Sequence, residues 1–228
     1  MENYLKLFKD RTEYDSAATK PGIAHLIDDI QLEYDACALN PFNGHDYVDL
    51  GLPSGTLWAT MNVGAENETD YGDYYMYGNG AKKYKKNDSY GGGLENPLSA
   101  SADTATQVWG CNWHMPTKEQ CDELVNTAIA MEYVSNYKNS GHNGLRITGP
   151  NGNVIFFPFA GYYNTRGEFR DGDDSGGRIW ASTPGRASSY AWTIFYSYNE
   201  YIIGGDNISF GTNDNSRDFG YSIRPVVG

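Results

Sequence analysis

Asp171-Gly-Asp-Asp-Ser-Gly176 sets carboxylate and hydroxyl oxygens at the first places of a calcium-loop pattern. The twelfth place is Ser182, where such a loop needs a bidentate Glu. The segment therefore reads as an acidic solvated turn. The four histidines, His25, His45, His114 and His142, are scattered, with no HxxxH or HExxH spacing to hold zinc. Cys37, Cys111 and Cys121 are odd in number, far apart and without metal spacing, so they read as buried or free thiols rather than a disulfide framework. No GxSxG elbow, P-loop or GxGxxG strand-to-helix context occurs, and Gly91-Gly-Gly93 runs into Leu-Glu-Asn-Pro97 as a loop. Catalytic residues, metal ligands and cofactors are therefore all expected to be absent, and the chain reads as a binding protein rather than an enzyme.

The chemistry that remains is recognition. Residues 181–221 hold five Tyr, six Ser, four Asn and five Gly, about half of the window, and no Lys. Tyr gives large contact area with few rotors, while Ser, Gly and Asn give adaptable polar contacts. Lys depletion is also a mark of binding patches. The candidate ligand-binding residues are Arg186, Ser188, Tyr190, Phe195, Tyr198, Tyr201, Asn207, Phe210, Asn213, Asn215 and Asp218. Strand alternation puts Trp192, Ile194 and Tyr196 on one face and Thr193, Phe195 and Ser197 on the other. Ile194 belongs in the core, so Thr193 and Phe195 are expected to point outward.

The elements that must position this window are mostly strands and turns. Tyr47–Pro53 and Thr56–Val63 flank the turn Ser54-Gly55 as a hairpin. Gly144–Thr148 and Asn153–Phe157 flank Gly149-Pro-Asn-Gly152 as another. Further strands are expected at 192–196 and 219–224, with a polar loop between them at 197–218. A polar loop at 79–97 carries the basic cluster Lys82, Lys83, Lys85 and Lys86, read as a solvated surface. One helix begins at Thr117, where Thr117 and Gln120 make a capping-box pattern and Cys121, Leu124, Val125, Ala128 and Ile129 form the apolar face. A second short helix is expected near 99–107. This is an α+β pattern of antiparallel strands, one or two helices and long ordered loops. Residues 1–45 read as a short β-rich arm for attachment or oligomerisation, with runs at Tyr4–Phe8, Ile23–Ile27 and Gln31–Tyr34. Residues 46–228 read as the ligand-binding domain, with its variable region at about 180–221.

The 228 residues are 39% hydrophobic and 14% aromatic, with 27 Gly and 19 Tyr, enough aromatic mass to fill a core. Net charge is −12 and the sequence pI about 4.6. Such a surface repels phosphate backbones and anionic headgroups, which disfavours nucleic-acid and membrane partners. Met1-Glu-Asn-Tyr-Leu-Lys6 opens with mixed charge, so no signal peptide or spanning helix is expected.

Specific phrases carry a family likeness. Val48-Asp-Leu-Gly-Leu-Pro-Ser-Gly-Thr-Leu-Trp-Ala-Thr-Met-Asn-Val-Gly-Ala65, then Tyr71-Gly-Asp-Tyr-Tyr75, resembles the opening of the Fibrobacter-type major paralogous domain. The likeness continues through Trp113-His-Met-Pro-Thr-Lys-Glu119, Phe157-Pro-Phe-Ala-Gly161 and Ile179-Trp-Ala-Ser-Thr183, and closes on Gly220-Tyr-Ser-Ile-Arg-Pro-Val226. Met61 departs from it, since many relatives carry Cys there. The resemblance implies a C-type-lectin-like fold with paired chain ends. It also implies kinship with the variable proteins of diversity-generating retroelements, of the phage tropism-determinant type, which end in a hypervariable binding surface. Trp180, Ser182, Thr183, Gly220, Ser222, Arg224 and Pro225 match motif positions and so belong to the scaffold. Calcium-lectin motifs such as Glu-Pro-Asn and Trp-Asn-Asp are missing, as is the late cysteine pair of formylglycine-generating enzymes. The expectation is a receptor-binding protein on a virion tail, or made in the bacterial cytoplasm from a prophage. Its target would be a bacterial surface protein or glycan, and a homotrimer fits the family. The alternative is a cell-envelope structural or adhesion protein of the Fibrobacter-type family.

Overall fold

The computed structural model describes residues 37–91, 95–172, 175–201 and 207–228. The expected strands at Tyr4–Phe8, Ile23–Ile27 and Gln31–Tyr34 lie outside the described residues, as do Asp173 and Asp174 of the acidic turn. The chain divides into two compact units, Met1–Gly44 and His45–Gly228. In the first, the described part ends in a turn where the Asn43 amide donates to the Asn40 carbonyl at 3.0 Å. The second unit is α+β and carries all the named strands.

It opens and closes in one sheet. β1 (Tyr47–Asp49) pairs antiparallel with β2 (Leu57–Ala59), and β2 pairs antiparallel with β11 (Val226–Val227). The expected hairpin is present but shorter than the sequence suggested. Two α-helices follow β2. α1 (Thr104–Trp109) starts within the expected 99–107 span, where the Asp103 carboxylate accepts from the Thr106 amide, and runs past its end to Trp109. α2 (Lys118–Thr127) starts at the expected Thr117. There the Thr117 hydroxyl accepts from the Gln120 amide, and the Gln120 side chain accepts from the Thr117 amide at 2.9 Å. Cys121 and Leu124 are buried as expected, but the helix stops at Thr127 and leaves Ile129 64% exposed. The reason is that β3 (Ala130–Val134) begins at once and joins β4 (Gly144–Thr148) and β5 (Val154–Pro158) in an antiparallel sheet.

The largest sheet has five strands in the order β10, β9, β8, β6, β7. β6 is Ala160–Tyr163, β7 Phe169–Gly172, β8 Gly176–Pro184, β9 Tyr190–Tyr198 and β10 Ile208–Ser216. β10 overturns the expected polar loop at 197–218, because nine residues of that stretch pair antiparallel with β9. The expected strand at 219–224 is instead a series of single bridges, Tyr221 to Tyr75, Gly220 to Tyr163 and Ser222 to Ile179, before the chain reaches β11. It threads between several strands rather than lying along one.

α2 and all three sheets share one core: Trp58 and Val226 from the first, Leu145, Ile147, Ile155 and Phe157 from the second, and Ile179, Ala181, Ile194 and Tyr196 from the third. Each Val, Leu, Ile and Phe among them contributes about 1.5–3 kcal/mol when fully buried. Through this core runs Arg224, wholly buried, its guanidinium donating to the carbonyls of Ala59, Thr60 and Phe156 and to Asn62 Oδ1. Burial pulls its pKa down to about 10. Every residue assigned to the scaffold from its motif is buried: Trp180, Ser182, Thr183, Gly220, Ser222, Arg224 and Pro225. Cysteine chemistry departs from expectation, since Cys37 and Cys111 are each disulfide-bonded, while Cys121 is a free, buried thiol.

Candidate functional site

β9 and β10 form a long hairpin at one edge of the five-stranded sheet, in register from Tyr190 opposite Ser216 to Tyr198 opposite Ile208. Side chains alternate across a strand, so the hairpin has two faces. Trp192, Ile194, Tyr196 and Tyr198 of β9, with Ile208 and Phe210 of β10, turn toward the core. Two candidate contact residues are therefore on the core side. Phe210 packs within 6.5 Å of the Phe157 ring, and Tyr198 stacks on Tyr133 with centroids 4.0 Å apart. Nothing in a loop reading of 197–218 could have revealed that direction for Phe210.

The opposite face carries Phe195, Asn213 and Asn215. Phe195 lies opposite Gly211, and a Cβ at Gly211 would come within 2.8 Å of the Phe195 ring. Glycine there leaves the ring its place in the sheet. On the other side of Phe195, Arg178 of β8 sits 5.6 Å from its centroid and 5.6 Å from that of Tyr162. Arg178 was not among the sequence candidates; its position beside core-facing Ile179 was the available signal. Thr193 also points away from the core but is fully buried, contrary to expectation. Its hydroxyl donates to Asn213 Oδ1 at 2.8 Å and accepts from Asn215 Nδ2 at 3.3 Å, while Asn215 donates to Asn213 at 2.9 Å. The two asparagines thus roof the threonine.

The remaining candidates fall at opposite ends of the hairpin, roughly 27 Å apart at the usual strand rise. At one end are Arg186, Ser188, Tyr190 and Asp218. Arg186 and Ser188 are exposed in the β8–β9 turn and Tyr190 is 40% exposed. The Arg186 guanidinium and amide both donate to the Asp214 carboxylate. These hydrogen bonds hold the Asp214 carboxyl down to about 2. Asp214 was not predicted, although its place on β10 beside Asn213 and Asn215 follows once the strand is known. Asp218 accepts weakly from the Ser216 hydroxyl at 3.4 Å.

At the other end are Tyr198, Tyr201 and Asn207. The Asn207 carbonyl accepts from the Asn199 amide at 2.8 Å and closes the ladder there. Tyr201 is 85% exposed, its amide donating to Asn199 Oδ1 at 3.0 Å. Around them opens a groove of about 570 Å³. Tyr133 from β3, Tyr198 and Tyr201 supply its rings. Asp171, Glu200, Asn199, Ser175 and Ser197 supply its polar rim. Asp171 holds a left-handed backbone conformation, φ 54°, uncommon for a residue with a Cβ. Glu200 hydrogen-bonds the Tyr201 phenol and raises its pKa. Rings that offer faces and edges, flanked by acceptors and amides, suit a ligand with alternating apolar and hydroxyl surface. Of this lining only Tyr198 and Tyr201 were legible as candidates; Tyr133 and Asp171 reach the groove from strands remote in sequence. Comparison with known proteins gave no match to a family model, to a curated protein or to a solved structure.

Proposed function

We propose that this chain is a ligand-binding protein whose domain 46–228 has the C-type-lectin-like fold and whose β9–β10 hairpin presents the recognition surface. The observation that carries the reading is the groove at the hairpin end, where Tyr133, Tyr198 and exposed Tyr201 meet five polar side chains. Pairing of β1 and β11 through the shared strand β2 supports the fold, since paired chain ends are what the family likeness implies. Display on a phage or prophage tail, with variation concentrated at about 180–221, accounts for a Tyr-, Ser- and Asn-rich hairpin on a buried, motif-like scaffold. The target is a bacterial surface protein or glycan. A direct test is binding of the full chain to an array of bacterial surface glycans and to intact bacterial cells. Tyr201→Ala combined with Glu200→Ala should abolish that binding and leave the melting curve unchanged. A DNA near-repeat of the 180–221 coding stretch beside a reverse-transcriptase gene would establish the source of variation.

One observation favours the second reading, a cell-envelope adhesion protein. Disulfides persist in oxidising compartments and are rare in a reducing cytoplasm, where phage tails assemble, yet Cys37 and Cys111 are disulfide-bonded. Thiol titration of the protein taken from cytoplasmic and periplasmic fractions separates the two. Two further free thiols in the native cytoplasmic protein support the tail reading.

A further inference from the structure

The lysine-rich segment read from sequence as a solvated surface is folded against the turn that joins β6 to β7, and together they enclose a cleft of about 370 Å³. Its floor is aromatic. Tyr84 and Tyr163 stack with centroids 5.1 Å apart at 14°, and Tyr74 meets Tyr163 edge-on at 5.1 Å. The phenols of Tyr74 and Tyr84 are committed to the main-chain carbonyls of Ala160 and Asn164. Their rings therefore offer the cleft apolar surface rather than donors.

Its polarity comes from lysines. Lys83, Lys85 and Lys86 line it against the single carboxylate of Asp73, which pairs with Lys83 at 2.7 Å. Lys85 and Lys86 form no salt bridge among the described residues. Lys86 is a placed side chain: its stem lies so close to Gly167 that a Cβ there would meet Lys86 Cδ at 2.6 Å. Gly167 has φ 73°, so the turn and the lysine stem both depend on that glycine. Arg166, exposed and next to Gly167, adds a further cation at the edge.

A net positive cleft on a chain of charge −12 selects its ligand by size as well as sign. Screening confines its attraction to about 8 Å at physiological salt, and the acidic remainder of the surface repels any long polyanion. Apolar rings beneath ammonium groups match a compact body with one apolar face and one anionic substituent. We propose that this cleft binds an anionic sugar, a pyranose bearing a carboxylate or a phosphate. The lysines hold the anion as point charges, and the sugar's C–H face packs on the Tyr84 and Tyr163 rings. The site is separate from the β9–β10 hairpin and stands whether or not the hairpin groove binds a ligand.

Calorimetric titration of the full chain with glucuronic acid, glucose 6-phosphate, glucose and inorganic phosphate tests this. At least one anionic sugar should bind, and which of the two binds tighter identifies the anion. Glucose and inorganic phosphate should each bind at least about tenfold more weakly than that sugar, and raising salt to about 0.5 M should weaken its binding severalfold. The double variant Lys85→Ala, Lys86→Ala should lose at least about tenfold in affinity with an unchanged melting curve, since both side chains are exposed. Tyr201→Ala should leave this binding intact. Glucose binding as tightly as its phosphate, inorganic phosphate binding as tightly as the sugar phosphate, an undiminished double variant, or a short oligonucleotide outcompeting both anionic sugars would each overturn the proposal.

Discussion

Trp180 and Tyr201 sit at opposite poles of burial, the first wholly enclosed and the second 85% exposed. Trp180 is fully buried, its indole donating to the Tyr75 carbonyl at 2.9 Å and its ring tilted against Tyr221 at 4.4 Å. Trp180→Ala leaves a cavity in the core, so a loss of about 3–5 kcal/mol is expected in chemical denaturation. Tyr201→Ala removes an exposed ring and should leave the denaturation midpoint unchanged. The Arg186–Asp214 contact makes a second residue-scale prediction. Asp214 titrates at about 2 when folded but near ~3.9 when unfolded. A lowered carboxyl pKa stabilises the fold fully above the unfolded value and stops doing so as pH falls through the folded one. The difference in melting temperature between the native chain and Asp214→Asn should therefore be constant from about pH 5 to 8, shrink as pH falls further, and vanish only below about pH 2. A difference that persists in acid would mean the contact acts through something other than its charge.

At the scale of elements, α2 and β10 show why some of the fold is legible and some is not. α2 announces itself through local chemistry: Thr117 and Gln120 are three residues apart and satisfy each other's amides whatever the rest of the chain does. Thr117→Ala should cost about 1 kcal/mol, measurable as a lowered denaturation midpoint. β10 reads Ile-Ser-Phe-Gly-Thr-Asn-Asp-Asn-Ser, and its Gly, Asn and Asp residues are depleted in strands. Its strand state comes from the partner β9, through nine facing residue pairs. Only that pairing fixes Phe210 inward and roofs Thr193 with Asn213 and Asn215. The β4–β5 hairpin lies between these cases, since its turn residues and its apolar strands agree. The groove was half legible for the same reason. Tyr198 and Tyr201 belong to the window that composition marks out, whereas Tyr133 and Asp171 arrive there through sheet order, which no local pattern encodes.

For the molecule as a whole, the decisive feature is that the last nine residues are woven into every sheet edge they pass. Tyr221 exchanges amide and carbonyl with Tyr75, the Ser222 carbonyl accepts from the Trp180 amide, and the Ile223 carbonyl accepts from the Val63 amide. The Pro225 carbonyl accepts from the Ala59 amide, and Val226 exchanges both groups with His114. Arg224 meanwhile donates to three carbonyls and an amide oxygen, all but that of Thr60 in buried hydrogen bonds. Removing Gly220–Gly228 would expose Trp58 and Trp180 and strip buried acceptors of their donors. Each such orphaned group costs about 1–3 kcal/mol, and Ile223 and Val226 take with them about 1.5–3 kcal/mol apiece. Against a total stability of about 5–15 kcal/mol for a domain, the sum leaves no folded state. The truncated chain should show no cooperative melt and no dispersed amide spectrum. Arg224→Lys provides the graded version, because an ammonium replaces the planar fork with a single point of donation. It should fold with a lowered midpoint while the truncation does not fold at all. A soluble truncation with a cooperative transition would mean that β1 and β2 hold the domain closed without β11.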